Sequence, residues 1–224
     1  MRLRHKKHLN ERIAKVENLI DVDTSELNSL VSAQNPQFLN FEQIFGNNNP
    51  VTLELGCGFG AFARKFGALY PNKNLVAVEK LTNVLVVACE QTPLSLSNVR
   101  FLNTGAEYLL TYFKNHSVDS IHLNFSTPYQ KKHCANRRMT HPKFLKIYQQ
   151  ILKPDAKLYY KTDDDDFFEF SKEQFENENW NVVFQTRDLH NSEFANENII
   201  TEYESKFIAK GVKIKMIIAT PPRN

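Results

Sequence analysis

The stretch Val51–Gly60, with the sequence VTLELGCGFG, decides the fold of this chain. Its apolar run ends in three glycines spaced two residues apart, and a carboxylate, Glu54, stands two residues before the first of them. This pattern is typical of a buried parallel strand followed by a loop that passes close to a ligand, because glycine turns tightly and carries no Cβ. The sequence therefore predicts a nucleotide-like cofactor at Gly56, Gly58 and Gly60.

Length and composition favour one α/β domain with an N-terminal extension. The chain has 224 residues, which suits a single full core and is short for two domains and a linker. Hydrophobic residues make up 42% and charged residues 24%, which excludes a disordered or fibrous class. No run approaches about eighteen apolar residues, and no apolar stretch follows the charged N-terminus. We therefore expect a cytoplasmic protein without a membrane span.

Strand-like and helix-like patterns alternate along the chain. Strands are predicted at residues 51–55, 75–79, 99–102, 118–124, 156–162, 180–185 and 212–219. Apolar residues recur at helical spacing over residues 62–70 and 144–152. Strict alternation implies right-handed crossovers, and hence an α/β fold with a doubly wound, mostly parallel sheet. Gly211 lies between two strand-like runs and predicts an antiparallel C-terminal strand.

The first forty residues differ from the rest. We predict a basic extension with a short amphipathic helix around Glu11–Ile20 in residues 1–40, and the main domain in residues 41–224. Basic residues gather in two groups, Arg2, Arg4, Lys6 and Lys7 at the start and Lys131, Lys132, Arg137 and Arg138 in mid-chain. Such groups suit a polyanionic partner, while a solvated tail and a solvated loop stay open as alternatives.

Two carboxylates near the glycines favour an adenosine cofactor that carries a positive charge. In a doubly wound sheet the ligand lies beyond the carboxyl ends of the strands, beside the first one. Glu79 ends the second predicted strand, where an acidic side chain accepts ribose hydroxyls. Glu54 would repel a pyrophosphate but suits the ammonium of a methionine group. The glycine spacing also fits a relaxed dinucleotide pattern, so a nicotinamide enzyme or a chance glycine turn stays open.

At this point the chain resembles the S-adenosylmethionine-dependent methyltransferases with a Rossmann-like fold. A narrower resemblance involves the segment Leu123–Leu145, LNFSTPYQKKHCANRRMTHPKFL, which leaves the sheet at the predicted cofactor edge. The basic opening MRLRHKK, the LELGCGFG loop, this NFS-x-P segment, the step Thr162-Asp163 and TEYE at Thr201–Glu204 follow one another in a particular order. In that order the chain is similar to the bacterial tRNA (guanine-N7)-methyltransferases through nearly its whole length.

The resemblance implies methyl transfer from S-adenosylmethionine to guanine N7 in the variable loop of tRNA. The candidate cofactor-binding residues are Glu54, Gly56, Gly58, Gly60, Glu79, Gly105, Ala106 and Asn124. The candidate tRNA-binding residues are Lys131, Arg137, Arg138, Asp163, Thr201 and Glu204. No metal is expected, since the run at residues 163–166 suits helix capping better than ion binding. A monomer or homodimer is expected. A weakened or inactive tRNA-binding homologue and a methyltransferase with another substrate are the alternatives.

The chain departs from the family pattern at two places. The family usually reads Asp-Pro-Trp-Pro where this chain has Thr127, Pro128, Tyr129 and Gln130, so Thr127 replaces a proposed catalytic carboxylate. An acidic residue is usual where Gly105 stands, and its loss removes a partner of the adenine amino group. Guanine N7 carries a free lone pair and no proton, so the reaction needs alignment and not a general base. We therefore expect an active but slow enzyme, in which Thr127 offers a neutral acceptor.

Overall fold

The computed structural model describes residues 8–22 and 35–223. These residues fold around a seven-stranded sheet. The strands are β1 (Val51–Leu55), β2 (Asn74–Val78), β3 (Val99–Leu102), β4 (Val118–Asn124), β5 (Leu152–Thr162), β6 (Asn181–Thr186) and β7 (Lys215–Thr220). The helices are α1 (Leu9–Ile13), α2 (Phe41–Phe45), α3 (Ala61–Leu69), α4 (Thr82–Gln91), α5 (Leu109–Tyr112), α6 (Pro142–Ile151), α7 (Asp165–Asn177) and α8 (Glu202–Ile208).

The strand order is β3-β2-β1-β4-β5-β7-β6, and β7 runs antiparallel to both of its neighbours, β5 and β6. The predicted doubly wound, mostly parallel sheet with an antiparallel C-terminal strand is confirmed. The chain leaves β1 for β2 on one side and β4 lies on the other, so a crevice opens at the carboxyl ends of these strands. Within residues 8–22 and 35–223, no helix combines the length and hydrophobicity needed to cross a membrane.

Burial explains why these segments form a two-sided core. Every residue of β1 and of β2 is buried, as central parallel strands covered by helices on both faces require. Helix α6 begins with Pro142 directly after its N-cap, a position where the missing proline N–H costs nothing. Its residues Phe144, Tyr148 and Ile151 form one buried stripe against the sheet.

The predicted helix over Glu11–Ile20 is wrong in its extent. Helix α1 ends at Ile13, and further along Leu19 forms a parallel bridge with Phe101 of β3. Because β3 is the edge of the sheet, this pairing satisfies backbone groups that would otherwise face solvent. The basic opening at residues 1–7 lies outside the described residues.

The strand-like run predicted before Gly211 is wrong, because these residues form helix α8, whereas the antiparallel strand after Gly211 is present as β7. The helix begins with a capping box: the Thr201 hydroxyl accepts from the Glu204 N–H at 3.0 Å, and the Glu204 carboxylate accepts from the Thr201 N–H at 3.2 Å. These reciprocal bonds satisfy amides of the first helical turn and outweigh the β propensity of the aromatic residues.

Candidate active site

A cleft of about 610 Å³ opens beyond the carboxyl ends of the central strands. Its walls include Gly56, Glu79, the pair 105–106, Thr127 and Arg137. These predicted site residues come from the loops after β1, β2, β3 and β4, and the topology brings them to one edge of the sheet. The position is the switch point of the doubly wound sheet, where ligands bind in this architecture.

Glu54 lies in β1, two residues before Gly56 of the cleft wall, and carries a buried carboxylate. The residue is 3% exposed, and its Oε1 accepts a hydrogen bond from the Asn124 side chain at 3.2 Å. Its Oε2 is buried and has no hydrogen-bond partner among residues 8–22 and 35–223. Burial raises the pKa of Glu54 to about 7, while the Asn124 bond and the charge of Lys161 oppose the rise. A buried carboxylate oxygen without a donor is complementary to a cationic group of a ligand.

The glycine loop after β1 leaves open space beside this carboxylate. Gly56 lies in the left-handed region with φ 79°, and a Cβ placed there would meet no atom of the described residues within 4 Å. The same holds for Gly58. Gly60 differs, because a Cβ there would lie 3.0 Å from the Cβ of Ala88, so this glycine serves the close packing of α3 and α4. The first two glycines thus provide room for a ligand.

The Glu79 carboxylate is held in place directly after β2. Oε2 accepts from the Gly58 N–H at 3.2 Å, and Oε1 accepts from the Leu81 N–H at 3.0 Å. The Asn103 side chain also donates to the Glu79 carbonyl at 2.8 Å. Each carboxylate oxygen keeps a lone pair for a further donor, so this fixed group can accept two ribose hydroxyls.

The loop between β4 and α6 forms the opposite wall of the cleft. Phe125 and Tyr129 have φ values of 54° and 42°, a strained region for residues other than glycine. The Arg138 guanidinium donates to the Pro128 carbonyl at 2.7 Å and lies 4.4 Å above an aromatic ring of α7. Arg138, a predicted tRNA-binding residue, is therefore engaged in holding this loop, which presents Thr127 to the cleft.

The other predicted tRNA-binding residues occupy two kinds of environment. Lys131 and Arg137 are exposed, and Arg137 lies on the cleft wall. Asp163 is half-buried at the end of β5, and burial raises its pKa. Thr201 and Glu204 are buried, with exposed fractions of 7% and 0%. The structure thus brings exposed cations and a buried capping box to the same end of the sheet.

Sequence reasoning missed the partner of Glu204. The Lys161 ammonium donates to the Glu204 carboxylate at 2.9 Å, to the Ile199 carbonyl at 3.1 Å and to the Asn198 side chain at 2.9 Å. Both side chains are nearly inaccessible, at 4% and 0% exposure. The pair fastens residues 198–204 to β5. Two signals could have found it: a lysine inside a buried strand needs an acidic partner, and T-x-x-E is a capping box.

Known proteins similar to this chain decide its family. A family model described as "Putative methyltransferase" matches residues 48–217. A tRNA (guanine-N(7)-)-methyltransferase of Clostridium novyi (strain NT) is 39% identical over 181 residues, which cover 80% of this chain and 85% of that protein. The chain belongs to the tRNA (guanine-N7)-methyltransferase family. A member from Bacillus cytotoxicus is 34% identical over 220 residues, covering 98% of this chain and 96% of the relative.

Solved structures show the same fold at low identity. The 16S rRNA methyltransferase KamB has a TM-score of 0.61 and 15% identity, with 83% of this chain and 95% of that chain covered. As a family member, this tRNA (guanine-N7)-methyltransferase homologue is an enzyme whose methyl donor is S-adenosylmethionine.

The residues of the cleft fit this cofactor. The unpaired Oε2 of Glu54 suits the ammonium of the methionine group, and the fixed carboxylate of Glu79 suits the ribose hydroxyls. The open space at Gly56 suits a chain that passes close to the backbone. The charge of Glu54, the acceptors of Glu79 and the free space at Gly56 therefore agree with the cofactor that the family uses.

Two glycines with matched backbones test this assignment. Gly56 and Gly46 have φ values of 79° and 70°, and a Cβ at either position meets no atom within 4 Å in the part of the chain that the structure describes. We expect Gly56→Ala and Gly46→Ala each to lower the free energy of unfolding by about 1–2 kcal/mol through left-handed strain. Only Gly56→Ala should also weaken cofactor binding, by about tenfold or more, because its methyl group enters the cleft. Calorimetric titration with S-adenosylhomocysteine and urea unfolding measure both; equal affinities in the two variants would contradict the assignment.

Proposed function

We propose that this protein transfers a methyl group from S-adenosylmethionine to N7 of a guanine in tRNA, and that the guanine lies in the variable loop. The observation that carries the proposal is the shared cleft, in which Glu79 on the cofactor side faces Thr127 and Arg137 on the basic loop. The similar proteins of Clostridium novyi and Bacillus cytotoxicus are tRNA (guanine-N(7)-)-methyltransferases, which supports the same substrate and the same atom. No observation favours an inactive homologue.

Methyl transfer to guanine N7 requires no general acid or general base. S-adenosylmethionine supplies an electrophilic methyl group on a positively charged sulfur. The N7 lone pair forms a bond to the methyl carbon as the carbon–sulfur bond breaks, so the positive charge passes to the purine and no proton moves. The protein must therefore align the guanine, exclude water and stabilise the developing charge. Thr127 offers a hydroxyl for alignment, and Asp163, which follows β5, the strand beside β4, is the carboxylate that we assign to the charge.

An aromatic pair supports recognition of a planar base at this position. Tyr203 is 46% exposed, and its ring lies 5.1 Å from that of Phe125, which lines the cleft. Burial raises the pKa of Tyr203, and the charges of Asp163 and Asp164 add to the rise because they lie near this ring. Aromatic faces of this kind stack unpaired bases of RNA.

The exposed cations suit the phosphates that flank such a base. Lys131 and Arg137 stand on the loop that borders the cleft, where they can bind the backbone without reading the sequence. Thr201 and Glu204 lie beneath this surface. They support it, because they form hydrogen bonds with each other and Glu204 also bonds to Lys161. Recognition thus combines surface charge, a stacking face and a rigid support.

Site-specific strand cleavage tests the proposed function. Purified protein is incubated with an unmodified tRNA transcript and labelled cofactor, and the RNA is then treated with borohydride and aniline, which break the strand at 7-methylguanosine. We expect cleavage at one guanine of the variable loop. A transcript with 7-deazaguanosine there should accept no methyl group, because the nucleophilic nitrogen is absent. Absence of incorporation into the normal transcript, or label that resists aniline, would contradict the proposal.

Restoring the family carboxylate should speed the reaction. Thr127→Asp is expected to raise the single-turnover rate about tenfold, because a charge-assisted hydrogen bond exceeds a neutral one by about 1–2 kcal/mol. Thr127→Asn is the matched control, since asparagine has the shape of aspartate without the charge. It should lower the activation free energy by less than half as much as Thr127→Asp. Equal rates in the two variants, or a loss with aspartate, would refute a charge role at this position.

The proposal extends to organisation and location. We keep the division into a basic extension at residues 1–40 and a catalytic domain at residues 41–224, since the family model matches only within the second part. Arg12 of the extension bonds to Glu90 of α4 at 2.7 Å, so its described portion rests on the domain. A cytoplasmic monomer or homodimer suits a tRNA substrate, and sedimentation of the purified protein distinguishes the two assemblies.

A further inference from the structure

Gly105 carries no side chain, yet the space beside it is filled by a carboxylate. A Cβ built at Gly105 would lie 2.5 Å from Oε2 and 2.6 Å from Cδ of Glu107. The backbone at Gly105 has φ −90° and ψ 156°, an extended conformation that any residue adopts. The local backbone therefore does not require glycine. The space that a side chain at residue 105 would fill is occupied by the side chain of Glu107.

The location of this carboxylate relates it to one part of the cofactor. Residues 104–107 and Glu79 line the same cleft, and the first group follows β3 while Glu79 follows β2. Because Glu79 suits the ribose and β3 is the next strand outward, the base attached to that ribose lies on the side of residues 104–107. Glu107 is exposed, so its carboxylate is accessible to a ligand.

We propose that Glu107 binds the amino group of the adenine and so replaces the acidic side chain that the family usually carries where Gly105 stands. An ionised carboxylate is an acceptor only, whereas the adenine amino group is a donor, so the two are complementary. A purine with oxygen at the same position presents an acceptor instead and is repelled. Glu107 is thus a specificity-determining residue for 6-aminopurines, an inference that rests on the cofactor and not on the tRNA substrate.

Two ligands that differ in the group at purine position 6, and with it in the proton on N1, test the inference by calorimetry. S-adenosylhomocysteine carries the amino group, and S-inosylhomocysteine carries an oxygen in its place. We expect the unmodified protein to prefer the adenosyl ligand by about a hundredfold, since a charge-assisted bond is exchanged for a repulsion. Glu107→Ala should reduce that preference to less than about tenfold, mainly by weakening the adenosyl ligand. Glu173→Ala, at an exposed glutamate of α7, should leave it unchanged.

A relocation experiment separates recognition from a general effect on folding. In the Glu107→Ala background, Gly105→Asp returns a carboxylate to the family position and should restore most of the preference for the adenosyl ligand. An unchanged preference in Glu107→Ala, or an equal loss of affinity for both ligands, would overturn the inference. So would a protein that binds neither ligand. If tRNA methylation failed while the preference and its restoration were observed, the proposed function would be refuted and the role of Glu107 would stand.

Discussion

Replacement of Glu54 by glutamine will weaken the binding of S-adenosylhomocysteine by about a hundredfold or more. The amide keeps the shape of the side chain and the contact with Asn124, but it places no charge opposite the ligand ammonium, and a cation left facing a buried neutral group costs about 3–5 kcal/mol. Calorimetry measures the loss. The control is a ligand, 5′-methylthioadenosine, which lacks the ammonium and should bind both proteins equally. A glutamine variant with the affinity of the unmodified protein would show that Glu54 does not bind the ammonium.

The Glu54 carboxylate should make cofactor binding weaker as the pH falls. Burial raises the pKa of Glu54 to about 7 in the free protein, so the group gains a proton as the pH falls through that value. The ligand ammonium requires the ionised form. The dissociation constant should therefore rise about tenfold for each pH unit below 7 and stay level above it. Glu54→Gln should remove this slope, and an identical slope in that variant would assign the titration to another group.

Replacement of Lys161 by methionine will lower the free energy of unfolding by about 3–5 kcal/mol, because it leaves the Glu204 carboxylate buried without its cation. The carboxylate is fully buried and bonds to Lys161 at 2.9 Å. The double variant Lys161→Met, Glu204→Met removes both charges but also the capping bond to the Thr201 N–H, so it should recover part of the loss. Urea unfolding of the two variants and the unmodified protein measures these differences.

An ion pair in the same helix provides the control for this prediction. Lys206 and Glu202 lie 2.9 Å apart with exposed fractions of 64% and 69%. Because water screens such a pair, Lys206→Met should change the free energy of unfolding by less than about 0.5 kcal/mol. If the Lys161 and Lys206 variants were equally stable, the buried pair could not be what fastens residues 198–204 to β5.

Local patterns predicted the part of the molecule that depends on short stretches of sequence. The apolar run before the glycines and the apolar run before Glu79 are features of neighbouring residues. They place Glu54 inside β1, and Gly56 and Glu79 directly after β1 and β2, as the structure has them. Each predicted strand is present, although β5 begins at Leu152, earlier than its apolar alternation indicated. The topology rules for alternating strands and helices then fix the edge at which the ligand binds.

The errors and omissions concern contacts between distant parts of the chain. The extent of α1 depends on the edge of β3, which pairs with Leu19 some eighty residues earlier in the sequence. The Lys161 and Glu204 side chains lie 43 residues apart in sequence, and no local pattern relates them. Glu107 occupies the space beside Gly105 through the direction of its side chain, which spacing alone does not indicate. Tertiary contacts decide all of these.

A crystal structure with S-adenosylhomocysteine tests most directly whether the cleft beside the glycine loop holds the cofactor. The ammonium nitrogen should lie about 2.7–3.2 Å from Oε2 of Glu54, the ribose hydroxyls should contact Glu79, and the sulfur should face the loop that carries Thr127. A ligand found in the smaller cavity beside His122, or one whose ammonium lies away from Glu54, would contradict this account.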